Sequence, residues 1–218
     1  MELIFMYFFL VLSLFIFWCI NEKVGIQLGI VLALLAWIVL IYSHFKELVP
    51  VNIDLKWIII AVIFCGYFFL RNKIDALISR GGFRAYTITT AAVSFIMILY
   101  RPGWEFVIPG GCLLGLGIGY CLNKRYVGFA SAAYLQREGS KKYLTMAARF
   151  LLGIAVLAVI VIRVNIVIHQ LSESQNAALY CFLCYAVTCL WISIAAPWVF
   201  TKLHLAGTVQ VPAEPWKP

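Results

Sequence analysis

Residues 3–20 read LIFMYFFLVLSLFIFWCI, an unbroken apolar run without a single charge. A hydrocarbon core ~30 Å thick is crossed by ~20 helical residues rising ~1.5 Å each. No water meets the backbone in lipid, so such a run crosses as a helix that satisfies its own hydrogen bonds. Six more runs of this character follow: Gly25 to Ser43, Trp57 to Leu70, Ala85 to Tyr100, Phe106 to Leu122, Leu151 to Ile168 and Ala177 to Phe200. The expected fold class is all-α, a polytopic transmembrane helix bundle of about seven spans. The third and fourth runs are short, and six spans is the alternative if one of them is re-entrant. Residues 1–205 are expected to form a single transmembrane helical domain. Residues 206–218, which end in VPAEPWKP, are expected to be a disordered tail.

Composition agrees. Hydrophobic residues make up 64% of the chain and charged residues 12%, proportions that no soluble domain of this length has. The net charge of +8 reads as the basic loops of a membrane protein. No basic groove interleaved with aromatics occurs, so no nucleic-acid partner is expected. Glu2 stands where a cleaved leader has a basic start, and no small-x-small site follows Ile20. The first run is therefore read as a span.

All seven cysteines lie in or at the ends of apolar runs. Cys181 and Cys184 form a CxxC pair with no neighbouring histidine or carboxylate. They read as small buried hydrophobes, not as redox or zinc ligands. His44, His169 and His204 stand near span ends without metal-ligand spacing. No metal and no cofactor are expected. Nucleotide-binding glycine loops, a serine nucleophile elbow and HExxH are all absent from the sequence.

Lys and Arg set orientation. Lys23, the group Arg71, Lys73, Arg80 and Arg84, the group Lys124, Arg125, Arg137, Lys141, Lys142 and Arg149, and the tail cations Lys202 and Lys217 fall on one side. Lys46, Lys56, Arg101 and Arg163 fall on the other. The odd-numbered loops and the C-terminus are thus expected in the cytoplasm and the N-terminus outside. The longest loop, Asn123 to about Phe150, mixes aromatic and basic residues as an interfacial helix does.

Two features carry candidate function. Gly111, Gly115 and Gly119 recur every fourth residue and give one smooth helix face for close packing. A pore or lipid groove lined by backbone is the alternative for that face. Arg163 and Asn165 interrupt the run LAVIVIRVNIVIH, and Arg163 is close enough to the span end to reach the headgroups. His44, Lys46 and Arg101 are expected on the outer side with Glu47, Asp54 and Glu105, where they are candidates for one phosphate- or lipid-binding pocket. Ordinary solvated loop charges are the simpler account of them.

The segments FIFWCINEKVGIQLGIVLALLAWIVLIYSHFKEL (15–48), PGGCLLGLGIGYCLNKRYVGF (109–129), RFLLGIAV and APWVFTKLHLA resemble bacterial membrane phosphatases of the type-2 phosphatidic acid phosphatase superfamily. The first resembles the helix pair before the family's catalytic lysine. The others resemble C-terminal helices of one branch. The resemblance implies a bacterial inner-membrane protein acting on lipid phosphates. That chemistry needs a nucleophile, an acid for the leaving group and cations around the phosphoryl oxygens. The family supplies them from a Lys with an Arg-Pro, a Pro-Ser-Gly-His, and a Ser-Arg with a later histidine and aspartate. Here Lys46 is followed by VPVN, Arg101-Pro102 has Ser94 where a lysine would stand, Ser79-Arg80 has no later histidine in place, and Pro-Ser-Gly-His is missing. No catalytic residue carries over. The expectation is a pseudoenzyme: a lipid-phosphatase scaffold without its active site that binds membrane lipids, a helix-packing partner or a second copy. A small transporter or channel, an accessory subunit docking through the glycine face, and a phosphatase with an unconventional site are the alternatives.

Overall fold

The computed structural model describes residues 11–48, 85–100, 104–131, 140–171 and 176–208. Within them the chain is a helix bundle: α1 (Val11–Ile20), α2 (Glu22–Leu48), α3 (Ala85–Tyr100), α4 (Trp104–Leu122), α5 (Ser140–Leu171) and α6 (Ala177–Lys202). Parts of α2, α4, α5 and α6 are long and apolar enough to cross a membrane, whereas α1 and α3 are shorter apolar helices. The protein is a polytopic helical membrane protein.

α4 is the central helix. Its most extensive contact is with α6, and α2 packs on another side. The approach to α6 is close because α4 offers no side chains there. A Cβ on Gly111 would meet the Phe182 carbonyl oxygen, one on Gly115 the Ala186 carbonyl oxygen, and one on Gly119 the Ser193 hydroxyl. The glycine face is thus filled by α6 of the same chain. Thr90 of α3 lies against Gly117, and Met97 lies between α3, α2 and α4 with Ala33 and Leu113.

The bundle has two distinct ends. At one, hereafter the near end, Asn21 turns α1 into α2, its Oδ1 accepting from the backbone N–H groups of Lys23 and Val24 at 3.0 and 3.1 Å. That is an N-cap, which satisfies donors that the first helical turn leaves open. At the far end His44, Tyr100 and Phe106 stack edge-on and tilted, with Trp37 one step deeper. α2 therefore leaves at the far end, whereas α3 enters near Gly117 and runs towards Phe106. The expected third span, Trp57 to Leu70, falls between these two points and lies outside the described residues.

One boundary differs from expectation. The sixth span begins at Ser140, not Leu151, so the second half of the expected loop is the first part of α5. In the earlier part, residues 123–130 hold a π-helical turn and a two-residue strand, and residues 132–139 lie outside the described residues. Ala206 is buried, and the strand Gly207–Thr208 (β2) pairs antiparallel with Phe129–Ala130 (β1). Backbone pairing thus holds Gly207 and Thr208 against Phe129 and Ala130. Residues 209–218 lie outside the described residues.

Candidate functional site

Polar chemistry concentrates at the near end, and the sequence shows how it arises. Three helices each contain one π-helical turn there: Ile16–Ile20 in α1, Asn123–Val127 continuing α4, and Trp191–Ala195 within α6. Such turns are rare and shift backbone pairing to i+5. In α6 the Ala196 N–H reaches back to Trp191 O. The next residue, Pro197, has no N–H to give. It would have been the i+5 donor to Ile192 O or the i+4 donor to Ser193 O, so both carbonyls are left for side chains. Trp18 Nε1 donates to Ile192 O at 3.1 Å, and Asn123 Nδ2 donates to Ser193 O at 2.8 Å. Each donor comes from the π turn of another helix.

Below this level Arg149 is fully buried. Its Nε donates to Leu205 O at 2.7 Å, and Nη1 donates to Trp18 O at 3.3 Å and Ser131 O at 3.2 Å. One guanidinium thereby joins α5 to α1, to the segment after β1 and to the segment after α6. The Glu22 carboxylate closes the ring, accepting from Ser131 Oγ at 2.6 Å and Ser131 N at 3.2 Å. The Glu22 N–H donates in turn to Ser131 Oγ at 3.1 Å. Apolar packing seals the clasp: Trp18 stands edge-on to Phe200, Phe129 packs between Phe17 and Phe200, and Gly153 lies against the Trp18 ring.

The clasp organises chain ends and turns. Gly128, left-handed at φ 60°, and His204, at φ 55°, are the sharp reversals that bring β1 and β2 together. Trp18→Phe keeps an aromatic ring, smaller than the indole, and removes the donor, leaving Ile192 O without it. We expect a loss of about 1–2 kcal/mol in unfolding free energy, measured by denaturant titration in detergent with an unrelated exposed substitution such as Leu144→Ala as reference.

Of the charged and histidine candidates, His44 and Arg163 fall elsewhere. His44 is half-buried at the far end against Phe106. Lys46 lies on the last turns of α2, its side chain outside the described residues, as is Arg101. Arg163 is exposed on α5. It stands 14 residues beyond Arg149, or roughly 21 Å along the helix axis, which sets it towards the far end of the bundle. α5 packs chiefly on α1 and α6, whereas His44 is on α2 beside α4, so Arg163 and His44 belong to different flanks.

Sequence reasoning placed Arg149 among loop cations and gave no role to Glu22, Asn123 or Ser131. One signal was readable. Pro197 inside an apolar helix predicts freed carbonyls one turn back, and an asparagine directly after an apolar span is a natural donor to them.

Most buried hydroxyls of the described bundle donate to backbone carbonyls, whereas the Trp37 and Trp191 Nε1 groups are buried without a hydrogen-bond partner. Ser13 donates to Gly25 O, Ser94 to Thr90 O, Thr188 to Cys184 O, and Ser193 to Cys189 O and Gly115 O. Among the described residues no group of three or more His, Cys, Asp or Glu side chains is placed to hold a metal ion.

Among curated proteins and among solved structures, none matches this chain. Residues 107–208, just under half of the chain and running from the first buried turn of α4 to the end of β2, match the family model of the PAP2 superfamily phosphatase, transmembrane extension.

Proposed function

We propose that this protein is a non-catalytic membrane scaffold of the lipid-phosphatase type, which binds lipid and lacks phosphoryl-transfer chemistry. The observation that carries the reading is where the polar groups of the matched region point. Arg149, Asn123, Ser193 and Thr188 all donate to backbone carbonyls. A phosphatase needs its cations and nucleophile presented to a substrate; here Arg149 and Asn123 join separate segments, and Thr188 and Ser193 bond back within α6. The motif losses around Lys46 and Arg101 support the same reading. A pore lined by glycine backbone is disfavoured, since α6 fills the glycine face. A protein partner or second copy would find exposed apolar side chains on α3 (Phe95, Ile96, Leu99), α5 (Val159, Ile162) and α6 (Leu179, Leu183, Val187).

The Lys and Arg bias supports a near end in the cytoplasm, and the resemblance to bacterial membrane phosphatases supports a bacterial plasma membrane. The test is phosphate release from a panel of lipid phosphates and diphosphates by the detergent-purified chain, beside an intact superfamily phosphatase. We expect no release above a no-protein blank. Release abolished by Lys46→Ala with Arg101→Ala would replace this reading with an enzyme built at the far end.

A further inference from the structure

The joint between α4 and α6 holds thiols as well as glycines. Cys112 stands one turn before Gly115 on α4, and Cys189 lies on α6. A Cβ built on Gly115 would stand 2.7 Å from Cys189 Cβ, so the glycine face draws Cys189 tightly onto α4. The two thiols meet there: Cys112 and Cys189 hydrogen-bond side chain to side chain and pack in one apolar cluster. Cys189 is buried and Cys112 half-buried, and both are free thiols. Each lies in a stretch long and apolar enough to cross a membrane, Phe106–Val127 for Cys112 and Ala177–Lys202 for Cys189. The clasp uses neither.

We propose that Cys112 and Cys189 are a redox pair, which closes to a reversible disulfide between α4 and α6 when a lipid-soluble quinone oxidises it. A disulfide joins sulfurs that can touch and leaves their Cβ atoms about 3.5–4.5 Å apart. Contact between the two thiols supplies the first condition. The glycine joint, which admits no side chain between the helices, favours the second. The CxxC cysteines, Cys181 and Cys184, both belong to α6, so a bond between them would join no second helix. In the reaction two S–H bonds break and one S–S bond forms. Both electrons and both protons pass to the quinone, which leaves as a quinol. The class of oxidant follows from the surroundings. The pair lies inside apolar spans, and a charge is costly to bring into lipid. A quinone is neutral and dissolves in lipid, and the transfer of two hydrogens leaves both it and the protein uncharged. A charged, water-soluble oxidant has no such route. The bond would fix the contact that carries Ile192, Ser193 and Pro197 to the clasp. It uses no residue of a phosphate site and stands apart from the question of catalysis.

The experiment uses the full chain in phospholipid vesicles under argon, with and without a fully substituted benzoquinone carrying an isoprenoid tail. Free thiols are then blocked with a maleimide in denaturing detergent, and digested peptides are analysed by mass spectrometry before and after dithiothreitol. With quinone, a peptide cross-linked through Cys112 and Cys189 is expected, absent without quinone and released by dithiothreitol. A charged, membrane-impermeant disulfide reagent is expected to leave both thiols free. Oxidised protein is expected to unfold at a higher temperature than reduced protein, because the bond joins residues distant in sequence. Cys189→Ala is expected to lose that difference, and Cys184→Ala to keep it. Should Cys189→Ala fail to fold, the peptide map of the unaltered protein still decides. Two free thiols after quinone treatment overturn the proposal, as does a disulfide that pairs either residue with another cysteine. Closure by the impermeant reagent as fast as by the quinone overturns the assignment to a lipid-soluble oxidant.

Discussion

Arg149→Met is expected to lower the unfolding free energy by about 3–5 kcal/mol, the usual cost of removing one partner from a buried charged network. The side chain is fully buried and serves three carbonyls, those of Trp18, Ser131 and Leu205, from three separate segments. Methionine fills much of the volume but brings no donor. A buried charge can be exchanged for an apolar group at little cost when its partner side chain is exchanged as well. That escape is closed here, because backbone carbonyls cannot be substituted away, and a buried acceptor left unmet costs about 1–3 kcal/mol. Arg149→Lys is expected to fall between. It keeps a charge but loses the fixed fork that lets Nε and Nη1 reach different segments. Unfolding in a titration of denaturing detergent, followed by tryptophan fluorescence, checks the order wild type, Arg149→Lys, Arg149→Met. Equal midpoints for wild type and Arg149→Met would mean that the clasp does not stabilise the bundle.

The same residue marks the limit of what the sequence discloses. Apolar length found α2, α4 and α6 within a few residues, and α5 except for its first eleven, because the cost of unpaired backbone in lipid leaves few alternatives to a helix. Charge bias grouped the first loop, the fifth loop and the chain after the last span on one side. The Glu22–Ser131 and Arg149–Leu205 bonds do bring those three segments to one end. A count of charges, however, treats every arginine near a span as solvated. Arg149 lies in MAARFLL, and nothing local separates an arginine facing water from one facing carbonyls 18, 56 and 131 residues away in sequence. Glu22 was equally unreadable, since its partner Ser131 sits 109 positions on. The clasp is a product of tertiary closure, and only the Pro197 break announces it in the sequence.

Gly115→Ile should have the other large effect, and it tests the central contact directly. A Cβ on Gly115 would overlap the Ala186 carbonyl oxygen and crowd Cys189 Cβ. The obstacle is largely backbone, so no change of rotamer relieves it. The two helices have to separate towards the ~8–10 Å spacing of ordinary pairs. Between membrane helices close contact supplies much of the association energy, because lipid offers little hydrophobic drive. Loss of that contact along α4 and α6 is therefore expected to cost about 3 kcal/mol or more, at the upper end of overpacking effects. Gly29→Ala is the internal comparison. Its nearest obstacle is Leu116 Cδ1 at 3.1 Å, the end of a flexible side chain, so a small change is expected. Thermal unfolding and gel filtration of both variants distinguish the two roles that a glycine face can have. If Gly115→Ile yields a folded monomer while an oligomer dissociates, the face docks a partner and the α4–α6 contact is not its purpose. If the variant loses its cooperative transition while Gly29→Ala keeps it, the face is an internal joint, and the glycine spacing exists to let α6 bring Ile192, Ser193 and Pro197 to the clasp.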